Sequence, residues 1–600
     1  MAMRLLWMTT LIRFTLTSIL IIVYFILSGI LVVSWAAPFR FATTWSSSEP
    51  KEARYGGQLK VKQNAQLMGF NPFTTSTAGA LPQRLSNGVA AVIRDPASDG
   101  YLPYMAEHYY FSQEGKVLTI ELRDNLYFSD GSPISAEDFV TTAWIHQDAK
   151  LGSNLYASLY INKEKIKFKK INDRKFIIIF PKPYALALPM LSSLTPWPAT
   201  IFWQAYQQGG ASAVRKLWTL STPVEHIISP GPFIVKELKE GRAILKKNRY
   251  FSKWNQDAWG QPLPYLDGVT IYAGLESNPL NLFLVGLIDD IDLAKASALR
   301  QVKAAILSGE PLELLFNVGP SLLSMSLSFN WNLKSKPRLE ALFRNKKFRQ
   351  AMSMLMDRQK MIEILRGGIG YPAYGPVPLA QVNWQSSTLN KYPYNPAKAQ
   401  RLLAELGYQQ KNSRGFLVNS TGEEIRFSIM VPESAQSLYY NIGVIFSRDA
   451  RAAGINSTVL PINWTLLTGY TSQVADDRGF EAVIIGLTGY QPGWPYFSNE
   501  IPCGGNLTIY NINQYKSCLS VDEQKINDLY YQGVYEVDIH QRRLLNQQIQ
   551  AIYSELQPKI YVFSDAVSYA WNKRLGGIYP RGLINSINGL YHVPLVYIRR

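Results

Sequence analysis

Five histidines, His108, His146, His226, His540 and His592, are the residues most suited to proton transfer or metal binding. They are scattered, with no HExxH or other zinc spacing. The chain shows no P-loop, no GxSxG elbow and no dinucleotide-binding glycine pattern. Carboxylate pairs exist at Asp289-Asp290 and Glu137-Asp138. A glycosidase needs two carboxylates facing one bond, and the plainer expectation for both pairs is charged surface. Neither an enzyme nor a cofactor is therefore expected. What stands out is aromatic residues in polar surroundings, with 35 Tyr and 14 Trp. Tyr and Trp combine large contact area with a polar handle, which suits a ligand cleft. The segment LTGYQPGWPYF, Leu487 to Phe497, is the best candidate. It follows the apolar strand Ala482–Ile485, and its Gly and Pro residues hold irregular backbone beside rings. Leu487, Thr488, Gly489, Tyr490 and Trp494 are the expected ligand contacts. Cys503 and Cys518 are the only cysteines. In an exported chain their closeness suggests one disulfide, contributing about 3 kcal/mol if unstrained. A metal pair is the rival reading, although no His lies near either.

These residues need a scaffold. Leu118, Ile120 and Leu122 alternate with polar residues as in a strand. Asp130-Gly131 is a turn dipeptide, and Ser135 stands three residues before Asp138 in a capping-box pattern. Phe139, Val140, Ala143 and Trp144 follow at helical spacing. Gln58 to Gln63 alternates as a first strand, and Phe176–Phe180 is a short apolar run with the length of a buried strand. Asn395-Pro396 opens a helix that Gly407 ends. Glu536 to Leu556 has helical rhythm, and Pro558 stops it. Helical and strand patterns alternate throughout, which predicts a mixed α/β or α+β fold.

A chain of 600 residues is too long for one core. Lys plus Arg number 61 against 44 for Asp plus Glu, a net charge of +17. No nucleic-acid-binding motif accompanies that excess, so nucleic acid is not an expected partner. The densest basic stretches, Lys163–Lys175 and Arg344–Arg349, interleave with apolar residues and are expected to be solvated faces. A basic exterior also suits an anionic lipid surface. Arg4 and Arg13 precede an uncharged, apolar run from Phe14 to Phe39. Ser34-Trp35-Ala36 is an acceptable cleavage site, yet the run is long enough to span a bilayer. Residues 1–40 are thus a signal peptide or an N-terminal anchor, and 41–54 a polar linker.

The strand–turn–helix string FSDGSPISAEDF resembles the signature of the family 5 extracellular solute-binding proteins, the oligopeptide- and dipeptide-binding receptors of ABC importers. Further pieces resemble that family in its order. Tyr55-Gly56-Gly57 and Asn71-Pro72-Phe73 resemble its opening. Ser229-Pro230-Gly231-Pro232-Phe233, KNRYFSKW at 247–254 and Pro264-Tyr265-Leu266-Asp267 follow. FRNKKFRQAMSMLMDRQKMIEILRGG at 343–368 and YPYNPAKAQRLLAELGY at 392–408 complete the series. Many relatives are lipoproteins, but Leu27-Ser28-Gly29 is followed here by Ile30, so that anchor is absent.

The resemblance implies a two-lobed periplasmic-binding-protein fold of the large type. Lobe one would take residues 55–107, 225–325 and 561–600, an extra domain 108–224, and lobe two 326–560. It also implies capture of a small organic solute, hinged closure and delivery to the transmembrane subunits of an ABC permease. The body would lie outside the cytoplasmic membrane, tethered to it if the N-terminal segment stays uncleaved. A membrane-tethered solute sensor or an exported hydrolase would be the alternatives. In peptide-binding relatives the segment matching 487–497 carries an Asp that pairs with the peptide amino terminus. Tyr490 and Gly493 stand where that family has its two carboxylates, which argues against ordinary peptides and for a neutral or sugar-like solute.

Overall fold

The computed structural model describes residues 55–599 apart from 64–66, 68, 75–84, 86–87, 96–99, 162–163, 240, 275–277, 433–435, 489–499, 506 and 579–592. The chain divides into two compact units. One takes the chain up to residue 276 together with Val593–Ile598, and the other takes residues 277–592 with Arg599. Among the described residues no helix is long and apolar enough to cross a membrane.

The first unit is built on two sheets. Strand β1 (Gln58–Gln63) begins one of them, and β2 (Ala106–Ser112) and β3 (Val117–Leu122) belong to the other. After β3 comes helix α1 (Ala136–His146), then β4 (Lys167–Asn172), β5 (Lys175–Ile179) and α2 (Ala199–Arg215). Strands β6 (Phe233–Lys239), β7 (Arg242–Lys247) and β8 (Gly268–Ala273) complete the first sheet in the order β1-β8-β7-β6. The second has the order β2-β3-β5-β4. The turn before α1 forms as expected. Gly131 has φ +93°, and a Cβ there would stand 2.7 Å from the Tyr250 hydroxyl, so the position requires glycine. The Glu137 amide donates to Ser135 Oγ and the Ser135 amide to Asp138 Oδ2 at 2.8 Å, which completes the capping box. Asp138 is buried, not at the surface as its pairing with Glu137 suggested. Its other oxygen accepts from the Ala199 amide at 2.8 Å, so one carboxylate ties the starts of α1 and α2.

The second unit contains β9 (Asp290–Asp292), β10 (Leu312–Leu315) and β11 (Leu323–Phe329), then helices α3 (Lys346–Met354), α4 (Arg358–Arg366) and α5 (Pro396–Glu405). It continues with β12 (Arg426–Pro432), α6 (Asn441–Ala452), β13 (Asn456–Ile462), α7 (Trp464–Ser472) and β14 (Ala482–Thr488). Helices α8 (Val521–Tyr535) and α9 (Ile539–Leu556) lead into β15 (Lys559–Tyr561), β16 (Phe563–Asp565) and β17 (Tyr569–Asn572). Its main sheet has five strands in the order β13-β12-β14-β11-β15, with β12, β13 and β14 parallel. Asn395 caps α5 through the Lys398 amide and Pro396 fills its first turn, as the sequence predicts. The long helix begins at Ile539 rather than Glu536, because Asp538 is its N-cap and Glu536 closes the preceding α8.

Two expectations of surface charge fail in this unit. Arg349, in the basic stretch taken for a solvated face, is fully buried. Its guanidinium donates to the carbonyls of Phe343, Leu556 and Gln557 and stacks 4.3 Å from the Trp331 ring centre. It thus satisfies carbonyls at the end of α9 that no helical amide reaches. Asp289 is buried as well, held by the Arg574 guanidinium at 2.9 Å.

Candidate functional site

The residues expected to meet a ligand leave from the middle of the five-stranded sheet. Leu487 and Thr488 are the last two residues of β14, opposite Ser324 and Leu323 of β11. Gly489, Tyr490 and Trp494 lie outside the described residues. The parallel strands β12, β13 and β14 all end on this side, the edge where open α/β sheets place their ligands. Leu487 packs on the core cluster around Met430, Leu467 and Ile485. Gly486, just before it, has no room for a side chain. A Cβ would lie 2.5 Å from the Tyr439 hydroxyl and 2.9 Å from the Leu323 side chain.

Tyr439 connects this strand end to a charged group. Its hydroxyl is pushed up by burial and by Asp565, while Arg366 and the Gly486 backbone act the other way. Arg366, at the end of α4, donates to Asp565 twice, at 2.6 and 3.1 Å. This forked geometry fixes both planes, and both side chains are largely buried. The Asp565 carbonyl accepts from the Ser321 amide, which fastens β16 to the start of β11. Asp292 lies in the field of the same pair. Its carboxyl is raised to about 6 by the protein crowded around it and by Asp565, against Arg366. The side chain remains exposed, so water tempers the first of these causes. Nearby in sequence, the Tyr371 hydroxyl donates to Asn317 at 2.6 Å.

The far end of the 489–499 segment is held by a buried ion pair. Glu500 accepts from Lys559 Nζ at 2.8 Å, and Lys559 also donates to the Leu507 carbonyl. The Lys559 side chain is wholly buried, and its pKa is lowered by burial, with Glu500 opposing that change. Lys559 belongs to β15, an outer strand of the sheet that also carries β14. The residues on either side of the segment, Thr488 and Glu500, are thus both tied to one sheet. Cys503 and Cys518 form the expected disulfide, with Cα atoms 5.1 Å apart. Inside its loop Asn511 donates to Glu523 at 2.8 Å, and Glu523 also accepts from the Leu519 amide. Burial raises the Glu523 carboxyl despite these bonds.

Tyr439, Arg366, Asp565, Asp292, Glu500 and Lys559 were not singled out by the sequence. Lys559 had a usable signal, since it opens the apolar run KIYVF after Pro558. The arrangement offers hydroxyls, an exposed carboxyl and an already neutralised guanidinium. Among the described residues no group of three or more His, Cys, Asp or Glu is placed to hold a metal ion.

The fold is that of a two-lobed periplasmic binding protein, as comparison with known proteins shows. Residues 100–506 match the model of the bacterial extracellular solute-binding proteins, family 5. The chain belongs to this family and is a solute-binding protein of the ABC-transporter type. It is 34% identical over 586 residues to a probable ABC transporter-binding protein of Deinococcus radiodurans, covering 94% of this chain and 98% of that one. Among solved structures, the oligopeptide-binding protein AppA of Bacillus subtilis, in complex with a nonapeptide, superposes with a TM-score of 0.70 at 18% identity. That match covers 92% of this chain and 100% of AppA. The periplasmic binding protein MelB of Agrobacterium fabrum, in complex with stachyose, gives 0.72 at 18% identity, covering 91% and 85%. At such identity these two structures speak for the fold alone.

Proposed function

We propose that the protein captures a small polar organic solute outside the cytoplasmic membrane and hands it to the transmembrane subunits of an ABC permease, without chemistry on the solute. The observation that carries this reading is the anchoring of segment 489–499. Thr488, before it, ends the central strand β14, and Glu500, after it, is paired with Lys559 of the same sheet. Fixing the residues on either side of a binding segment lowers the cost of ordering it. Leu487, Thr488, Gly489, Tyr490 and Trp494 are the proposed contacts. The apolar run 14–39 is proposed to remain as a membrane tether, and mass spectrometry of the mature amino terminus tests that.

The solute is proposed to be neutral or sugar-like. Tyr490 and Gly493 supply no carboxylate for a peptide ammonium group, and Arg366 is already neutralised by Asp565. Hydrogen bonds to charged groups contribute roughly 1.5–3 kcal/mol, so peptides should bind about tenfold to a hundredfold more weakly than to a receptor with the carboxylate. Calorimetry with di- to pentapeptides and with a tetrasaccharide decides between the classes. The substitution Tyr490→Asp is expected to raise affinity for peptides with a free amino terminus. Tight peptide binding by the unaltered protein that depends on the free amine would overturn the specificity.

A further inference from the structure

The β1-β8-β7-β6 sheet has two unlike faces. Leu59, Val61, Ile271 and Leu245 bury one of them. Register sets the composition of the other. Lys62 stands opposite Tyr272, Tyr272 opposite Arg242, and Arg242 opposite Lys239, so a row of three cations and one aromatic ring crosses the sheet. The next row is Lys60, Thr270, Ile244 and Glu237. Beyond it Lys246 stands opposite Ile234. Lys236 is the additional residue of a bulge in β6, and like Lys239 and Lys246 it is exposed. Glu237, the one acid in these rows, is paired with Lys239.

Lysines on an edge strand serve to block unwanted pairing. That accounts for β6 but not for β7, an interior strand that carries Arg242 and Lys246 on the same face. Like charges directly opposite, as Arg242 and Lys239 are, destabilise a sheet. Glu237 offsets part of this repulsion, and the remaining excess of Lys60, Lys62, Lys236, Arg242 and Lys246 over one acid suits a further anionic counterpart. We infer that this face docks on the anionic headgroup surface of the membrane. Its cations are interleaved with Tyr272, Ile234 and Ile244, so long basic side chains can reach phosphates while their stems and these residues meet the interface. Strand β1 also begins shortly after the apolar run 14–39. The linker 41–54 reaches at most ~50 Å when extended, which keeps the sheet beside a bilayer that holds the run.

The test uses the full chain reconstituted in vesicles. Both native cysteines are in the disulfide, so Thr270→Cys places a single fluorophore at the half-buried centre of this face, and Ser308→Cys labels the other unit as a control. Headgroup-linked nitroxide lipids report proximity. Quenching at position 270 is expected in vesicles with 30% phosphatidylglycerol (roughly the anionic share of a charged leaflet). It should be absent in phosphatidylcholine alone and lost in high salt, where screening is short-ranged. Each basic side chain near such a surface is worth about fivefold in partition, so Lys236→Glu, Arg242→Glu and Lys246→Glu together should weaken the approach at least about a hundredfold. The melting temperature of the triple variant serves as the folding check. Equal quenching in both lipids, or quenching that the triple variant keeps, overturns the proposal. So does loss of solute uptake in the triple variant when wild type shows no lipid-dependent quenching, since the face would then dock a protein. If the apolar run proves to be cleaved, the same measurement on released protein added to vesicles separates failure of the tether from failure of the sheet.

Discussion

The two units differ in where they place their basic side chains. The first gathers many of its cations on one sheet face, keeps the buried His146 ring neutral, and buries the Asp138 carboxylate against amides at two helix starts. The second covers both faces of β11, whose residues from Ser324 to Phe329 are all buried. It draws Arg349, Arg358, Arg366 and Lys559 inside. Each of these has named acceptors. Arg358 donates to the carbonyls of Ser353, Ala373 and Tyr561, Arg366 is forked on Asp565, and Lys559 is paired with Glu500. An interior charge is tolerable only when so satisfied. Once satisfied, it fixes segments that are far apart in sequence. Interior charge, at Lys559 and Arg366, fixes residues beside the proposed ligand segment, whereas exposed charge such as Lys236 and Lys246 can meet another surface.

The contrast is sharpest for Arg349. Replacement by Met leaves the carbonyls of Phe343, Leu556 and Gln557 without this donor. A buried acceptor left alone costs roughly 1–3 kcal/mol, so Arg349→Met should lose about 4 kcal/mol in urea denaturation. Lys246→Met, on the open face, should stay within about 0.5 kcal/mol. Equal losses from the two substitutions would abolish the distinction drawn between the units.

Reduction of Cys503–Cys518 should have the next largest effect. The bridge closes a loop with a sequence separation of 15, for which chain entropy gives about 3 kcal/mol. Both cysteines lie in the second unit, so hydrogen exchange in β14 and α8 should rise on reduction while β1 and β8 keep their protection. Thiol labelling of the denatured, unreduced protein should find no free cysteine. Full labelling of both would contradict the bridge.

Much of the local structure could be read along the chain. The strand, turn and capped helix at 117–146 depend on neighbours within a few residues, and so do Asn395, Pro396 and the Cys503–Cys518 loop. Its aromatic content and the apolar run before it placed the proposed ligand segment after β14. The buried charges escaped for the opposite reason. Arg349 sits among Lys346, Lys347 and Arg344, a run that looks solvated. Only folding brings the end of α9, some two hundred positions away, to its guanidinium. Asp138 and Asp289 were misplaced on the surface for the same cause. Their partners, the Ala199 amide and Arg574, are remote in sequence. The open basic face was equally hidden. Arg242, Lys246 and Lys62 come together only through strand register, and no one-dimensional count of charge reports that.

The smallest expected effect concerns His146, the buried ring of the first unit. It lies against Phe73 with ring centres 4.6 Å apart, and Nδ1 is 2.5 Å from the Ser153 hydroxyl. Burial lowers its pKa to about 3, against an ordinary value of 6.5. The unfolded chain therefore binds a proton below about pH 6.5 that the folded chain refuses until about pH 3. The stability associated with the neutral ring is complete above pH 6.5 and falls through that window, by about 1.4 kcal/mol for each pH unit. His146→Gln keeps a polar group for Ser153 and cannot titrate. Urea denaturation between pH 7.5 and 5, followed through a probe in the first unit, should show a slope smaller by one proton in the variant. Identical slopes would mean that His146 is protonated inside the fold, and that the first unit buries a cation there as the second does.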